Sequence, residues 1–212
     1  MTAGVTIGAS DVLLVIDMQN DFMPGGALAV AGGDAIVPLV NRLAARFANV
    51  ALTQDWHPAG HSSFASSHPG ARPFETTTMP YGAQILWPDH CVQGEPGARL
   101  HDGLNIPHAI LILRKGVNRH IDSYSAFTEA DRVTSTGLAA LLKARGIERV
   151  FLCGLATDFC VAWSALDARA SGFEAFVIED ACRAIDANGS LDAAWRAMDA
   201  AGVRRVRAAE VA

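Results

Sequence analysis

Cysteine is scarce in this chain, with four residues, Cys91, Cys153, Cys160 and Cys182, among 212. That is too few for a disulfide scaffold and suits a reducing compartment, so each is read as a free thiol. Lysine is scarcer still: two of the 17 basic side chains, Lys115 and Lys143, against fifteen arginines. Lys143 falls in a polar helical stretch, whereas Lys115 does not and is therefore informative. No apolar run exceeds five residues, Val12 to Ile16 and Ala109 to Leu113 being examples, where a membrane-spanning helix needs about 20. No run of more than two adjacent Lys or Arg occurs, and the formal charge is −5. That balance offers no electrostatic footprint for nucleic acid or an anionic membrane. Met1 to Asp11 has neither a basic n-region nor a long apolar h-region, so a cytoplasmic protein is expected. Gly25-Gly26 and Gly32-Gly33 form no GxGxxG or Walker A pattern after a strand and read as turns, so no nucleotide cofactor is indicated.

Half of the residues are hydrophobic, enough for one soluble domain, residues 1–212, with a sizeable core. Short β-rich runs at Val12–Ile16, Val50–Thr53, Ala109–Leu113, Val150–Cys153, Ala175–Ile178 and Val203–Val206 alternate with helical patterns at Asp34–Phe47, Ser135–Arg145, Asp158–Ser171 and Ser190–Ala200. This is the rhythm of βαβ units. Most of the strands are apolar throughout, as in a sheet covered on both faces. The expected fold is a three-layer α/β/α sandwich around a mainly parallel, roughly six-stranded sheet. Thr157 stands as an N-cap and Gly146 as a helix stop. Residues His57 to His108 hold seven of nine prolines and six of seven histidines, too long a stretch for an idle connection.

In open parallel sheets, ligands bind beyond the carboxyl ends of the strands. Asp17 follows the first strand, Asp55 and His57 the second, Lys115 the third, and Gly154 to Cys160 the fourth. A cysteine in an apolar context is ordinarily a small core residue, and Cys153 reads that way. Cys160 differs because it sits at a strand-to-helix turn, three residues after Thr157, where the helix dipole favours thiolate and backbone N–H groups offer an oxyanion hole. Cys182, beyond the fifth strand with no capped helix at hand, is the weaker competitor. Asp17 is the candidate proton acceptor, and Lys115 beside a thiol and a carboxylate would hold both anions. Asp55 and His57, at i and i+2 on extended backbone, point the same way and can share an ion. His90 supplies a third ligand, with His61 and Cys91 as alternatives.

Six motifs stand in order: Leu14-Val15-Ile16-Asp17-Met18-Gln19-Asn20-Asp21-Phe22, Thr53-Gln54-Asp55-Trp56-His57-Pro58, Trp87-Pro88-Asp89-His90-Cys91-Val92, Lys115-Gly116, Asp122-Ser123-Tyr124-Ser125-Ala126-Phe127 and Gly154-Leu155-Ala156-Thr157-Asp158-Phe159-Cys160-Val161. By them the chain, from Leu13 to about Asp180, resembles the nicotinamidases of the isochorismatase-like cysteine hydrolase superfamily. The resemblance implies a triad of Asp17, Lys115 and Cys160, and one divalent ion (zinc, iron or manganese) on Asp55, His57 and His90. It also implies a ring pocket including Phe22, Trp87 and Tyr124. A cis peptide between Leu155 and Ala156 would turn the N–H groups of Ala156 and Cys160 toward the oxyanion. The implied reaction, a step of NAD salvage, converts nicotinamide to nicotinate and ammonia through a cysteine thioester. Small-molecule substrates, nicotinamide and pyrazinamide, are expected, with no nucleic acid or membrane partner and a homo-oligomer left open. His61 departs from the spacing of an extra His ligand found in some family members. The alternatives are a cysteine amidohydrolase acting on a carbamoyl or ureido compound, against which the metal motif argues, and a non-catalytic metal-binding scaffold. Isochorismatase itself fits less well, because that branch lacks the cysteine that stands here at Cys160.

Overall fold

Six strands form one sheet in the computed structural model: β1 (Asp11–Ile16), β2 (Asn49–Asp55), β5 (Leu111–Lys115), β6 (Arg149–Leu155), β7 (Glu174–Arg183) and β8 (Arg204–Val206). A separate hairpin comprises β3 (Thr76–Met79) and β4 (Gly82–Ile85). The structure describes residues 4–212; Met1, Thr2 and Ala3, where the segment read for a leader begins, lie outside them. The sheet order is β5-β2-β1-β6-β7-β8, and every neighbouring pair is parallel. Every residue of β1 is buried, as a strand covered on both faces must be. Phe151 and Phe176 face each other in register across β6 and β7 and stack at 4.4 Å.

The order moves one way from β1 to β2 and the other way from β6 through β7 to β8. Right-handed crossovers then set α1 (Val37–Ala44) on one face and α3 (Ala162–Ala170) with α4 (Ser190–Ala200) on the other. Three layers result. The order reverses between β1 and β6, and that reversal opens a crevice at their carboxyl ends.

Several expected boundaries shift. The Asp34–Phe47 pattern begins as a 3₁₀ turn over Asp34–Ile36, and the α-helix starts only with Pro38 in its first turn. Gly137, at φ +87°, delays α2 to Leu138–Ala144, and Gly146 at φ +70° follows that helix as expected. Thr157 is not an N-cap; Ala156 takes that place without a side-chain bond, and Thr157–Val161 form a single π-helical turn ahead of α3. Strand β5 runs two residues past its apolar run, because Gln54 and Asp55 pair with Arg114 and Lys115. Strand β7 continues through a register shift to Arg183, so Cys182 lies inside a strand opposite Gly154 and not beyond its end. The stretch from His57 to His108 carries the hairpin and two 3₁₀ turns. Among the described residues no helix is long and apolar enough to cross a membrane.

Candidate active site

Asp17, Lys115 and Cys160 come together at the carboxyl end of the sheet. Asp17, the first residue after β1, has φ +47°, a conformation that a non-glycine residue holds only where its surroundings impose it. Thr53 on β2 imposes it from two sides, accepting the Asp17 N–H at 3.1 Å and donating its hydroxyl to Asp17 Oδ1 at 2.5 Å. Lys115 Nζ lies 2.9 Å from Asp17 Oδ2. It donates to Asp55 Oδ1, to the Ser123 carbonyl at 2.9 Å, and toward Cys160 Sγ at 3.5 Å. All three predicted triad members are buried.

Burial on its own disfavours every charge here, and the outcome depends on what each charge faces. Burial lowers the Lys115 pKa, but the Asp17 and Asp55 carboxylates outweigh it and hold the ammonium well above its ordinary value. Burial raises Asp55, yet the Lys115 ammonium against it holds it well below the usual carboxylate range. Asp17 is raised by burial, which Lys115 offsets only in part. The Cys160 thiol is pushed well up by burial, and Asp17 and Asp55 add to the rise against the pull of Lys115. Burial beside two carboxylates thus works against the thiolate that the helix start was expected to favour, and Lys115 is the group that pulls toward it. Burial likewise pushes Cys182 up to about 12, leaving it an inert strand thiol.

Asp55, His57 and His90 present one donor atom each within 4.8 Å of one another, a group that could hold a divalent metal. The donor set fits an ion. His57 Nδ1 lies 3.0 Å from the Gly116 carbonyl and His90 Nδ1 lies 2.8 Å from the Pro88 carbonyl. A carbonyl only accepts, so each Nδ1 carries the hydrogen and each Nε2 keeps a free lone pair. Those Nε2 atoms stand 3.6 and 3.8 Å from Asp55 Oδ2. Gly116 makes room for this, since a Cβ there would lie 2.4 Å from His57 Cε1. Gln19 pins Asp55 by its backbone, accepting its N–H at 2.8 Å and donating to its carbonyl at 2.8 Å.

His61 and Cys91 do not join the group with Asp55 and His90. His61 Nε2 donates to the carbonyls of Asn118 and Ile121, at 2.9 and 3.3 Å, and Nδ1 accepts from the Ser63 hydroxyl at 2.7 Å. Both ring nitrogens are therefore committed. Burial and the nearby His57 push its pKa down to about 4, and the neutral ring packs 4.3 Å from the His57 ring as a brace.

A cavity lies over the triad, lined by the predicted Phe22, Trp87 and Tyr124. Trp87 Nε1 donates to the Tyr124 hydroxyl at 3.0 Å, and Phe159 meets Trp87 edge-on at 5.0 Å. Leu28, Asp122, Phe159 and Ile185 also line it and were missed. Phe159 and Asp122 stand inside quoted motifs, so those motifs held the signal. Leu28 and Ile185 arrive from distant loops, Ile185 being held by its N–H to Asp158 Oδ1 at 3.0 Å. The Leu155–Ala156 peptide is cis, as the resemblance implied. The Ala156 carbonyl accepts the N–H groups of both Phe159 and Val161 at 3.1 Å, which closes the turn carrying Cys160.

This fold and this cluster define a hydrolase-type α/β protein, and the chain belongs to the isochorismatase family: the isochorismatase domain matches residues 11–210. Its relatives narrow the branch. It is 59% identical over 194 residues to a nicotinamidase of Acinetobacter baylyi, covering 92% of this chain and 91% of that one. Among solved structures it resembles a nicotinamidase/pyrazinamidase of Acinetobacter baumanii, with a TM-score of 0.95 and 57% identity over 96% of this chain and 98% of that one. It also resembles an L. infantum protein in complex with nicotinate, with a TM-score of 0.86 and 39% identity over 99% and 98% of the two chains. A pyrazinamidase of Pyrococcus horikoshii in complex with zinc matches with a TM-score of 0.76 and 35% identity over 93% and 99%.

Proposed function

We propose that this chain, acting as one hydrolase unit over residues 1–212, converts nicotinamide to nicotinate and ammonia through a thioester on Cys160. The observation that carries the reading is the meeting of a thiol, a carboxylate and an ammonium in one buried place: Lys115 Nζ lies 3.5 Å from Cys160 Sγ and 2.9 Å from Asp17 Oδ2. The nicotinamidase relatives support the substrate.

Asp17 takes the proton of the Cys160 thiol as sulfur attacks the amide carbonyl carbon, and the carbonyl electron pair moves onto oxygen. The N–H groups of Ala156 and Cys160 receive that oxyanion. Asp17 then passes its proton to the amide nitrogen, the C–N bond breaks, and ammonia leaves. Water attacks the remaining thioester while Asp17 takes its proton; the C–S bond breaks and the proton returns to sulfur. Lys115 stays an ammonium throughout, offsetting negative charge as it passes between sulfur, oxygen and carboxylate. Phe22, Trp87 and Tyr124 hold the ring flat against the nucleophile.

Asp55, His57 and His90 would hold a divalent ion, zinc, iron or manganese, which when bound supplies a Lewis acid for the ring nitrogen. Pyrazinamide, with the same carboxamide and a ring nitrogen in the same place, is a second substrate. The four unpaired cysteines support a reducing, cytoplasmic setting. Ammonia release from nicotinamide by the purified protein tests the reading. Its absence in protein that retains metal points instead to a non-catalytic scaffold.

A further inference from the structure

Alternate residues of one short segment reach different parts of the site. Asp17 faces Lys115, Gln19 clamps the backbone of Asp55, and Asp21, two residues further on, reaches the loop that carries His90. Asp21 Oδ2 accepts the Cys91 N–H at 2.7 Å and so holds the peptide unit that joins His90 to Cys91. Cys91 has φ +47°, a left-handed conformation that a side chain disfavours and that persists only when its neighbours fix it. In that conformation the Cys91 carbonyl accepts the His57 N–H at 3.0 Å, and the His57 carbonyl in turn accepts the Gln93 N–H at 2.9 Å. A single left-handed residue therefore stands between the two imidazoles, attached to one by the chain and to the other by a hydrogen bond. The Asp21 carboxylate is itself boxed in: a Cβ on Gly97 would lie 2.1 Å from its Oδ2.

We propose that Asp21 is a positioning residue of the metal group, fixing the His90-Cys91 turn and through it the relative placement of His57 and His90. The inference rests on the reading of Asp55, His57 and His90 as ligands. An aspartate that only closed a local turn would affect stability alone, whereas one that sets two ligands must change metal affinity in protein that is still folded.

The test is Zn²⁺ competition with a chelating dye, run on the wild type and on Asp21→Ala, Asp21→Asn and Gly97→Ala. Far-UV circular dichroism and the alkylation rate of Cys160 establish that each variant is folded with its thiol in place. Asp21→Ala is expected to bind Zn²⁺ roughly 10–100-fold more weakly, with KM for nicotinamide rising more than kcat falls. Asp21→Asn, which keeps one acceptor oxygen, should recover part of the loss. Gly97→Ala should reproduce the defect by displacing a carboxylate that is still present, and it carries the test if Asp21→Ala does not fold. Wild-type Zn²⁺ affinity in folded Asp21→Ala or Gly97→Ala overturns the inference while leaving the ligand assignment intact. A wild type that takes up no Zn²⁺ overturns both.

Discussion

Lys115 Nζ donates to Asp55 Oδ1, which leaves Asp55 Oδ2 to face the Nε2 atoms of His57 and His90 at 3.6 and 3.8 Å. One carboxylate is thus shared between the cation beside the nucleophile and the group that could hold an ion. The two halves of the site therefore meet at this one residue, while the sulfur and the imidazoles remain separate groups.

Removing that cation tests the nucleophile half. In Lys115→Ala the carboxylates of Asp17 and Asp55 face the sulfur without a counter-charge, so kcat should fall about 10²–10³-fold. Cys160 should also alkylate more slowly at a fixed, mildly alkaline pH, because the pull toward thiolate is gone. Normal turnover together with an unchanged alkylation rate would return Lys115 to a structural role.

Metal removal tests the other half. Chelation should weaken nicotinamide binding strongly while leaving Cys160 reactive toward an alkylating agent, because ring capture and thiol chemistry use different atoms. His57→Ala should mimic the chelator. Benzamide, which has no ring nitrogen, should be a poor substrate with or without metal. Full activity toward nicotinamide in metal-free protein would remove the ion from the account and leave the thiol chemistry standing.

Glu129 is buried, its Oε2 has no hydrogen-bond partner, and burial, with Asp131 and Asp122 nearby, raises its pKa. A carboxyl whose folded pKa lies above its unfolded one binds its proton more tightly in the native state. Its contribution to stability is therefore present at low pH and is lost as pH rises through the folded value. Glu129→Gln mimics the protonated form and should raise the melting temperature at neutral pH by roughly 2–4 °C. The gain should vanish below the ordinary glutamate range, near pH 4. A melting temperature that is unchanged or lower at neutral pH contradicts the assignment.

The parallel sheet and the residues at its carboxyl edge were legible because apolar runs mark buried strands and the strand-end rule needs only chain order. Asp17, Asp55, Lys115 and Cys160 could be placed on one edge in this way. The ends of β5 and β7 were not legible, since pairing with β2 and β6 carries both strands beyond their apolar runs. That extension is why Cys182 turned out to be a strand residue. Leu28 and Ile185 left no trace in the sequence because each reaches the cavity from a distant loop. The surroundings of Cys160 were only half legible: a strand-to-helix turn is a local pattern, whereas burial beside Asp17 and Asp55, which disfavours the thiolate, is a tertiary one.

The proposed mechanism places the acyl group on Cys160. Mixing the purified protein with nicotinamide, quenching in acid and mapping the peptides by mass should show a nicotinoyl increment on the peptide containing Cys160. Ammonia should appear alongside it, and Cys160→Ala should lose both the adduct and turnover while its fold and ring binding persist. An adduct on Cys91, Cys153 or Cys182, or ammonia release that survives Cys160→Ala, would contradict the account.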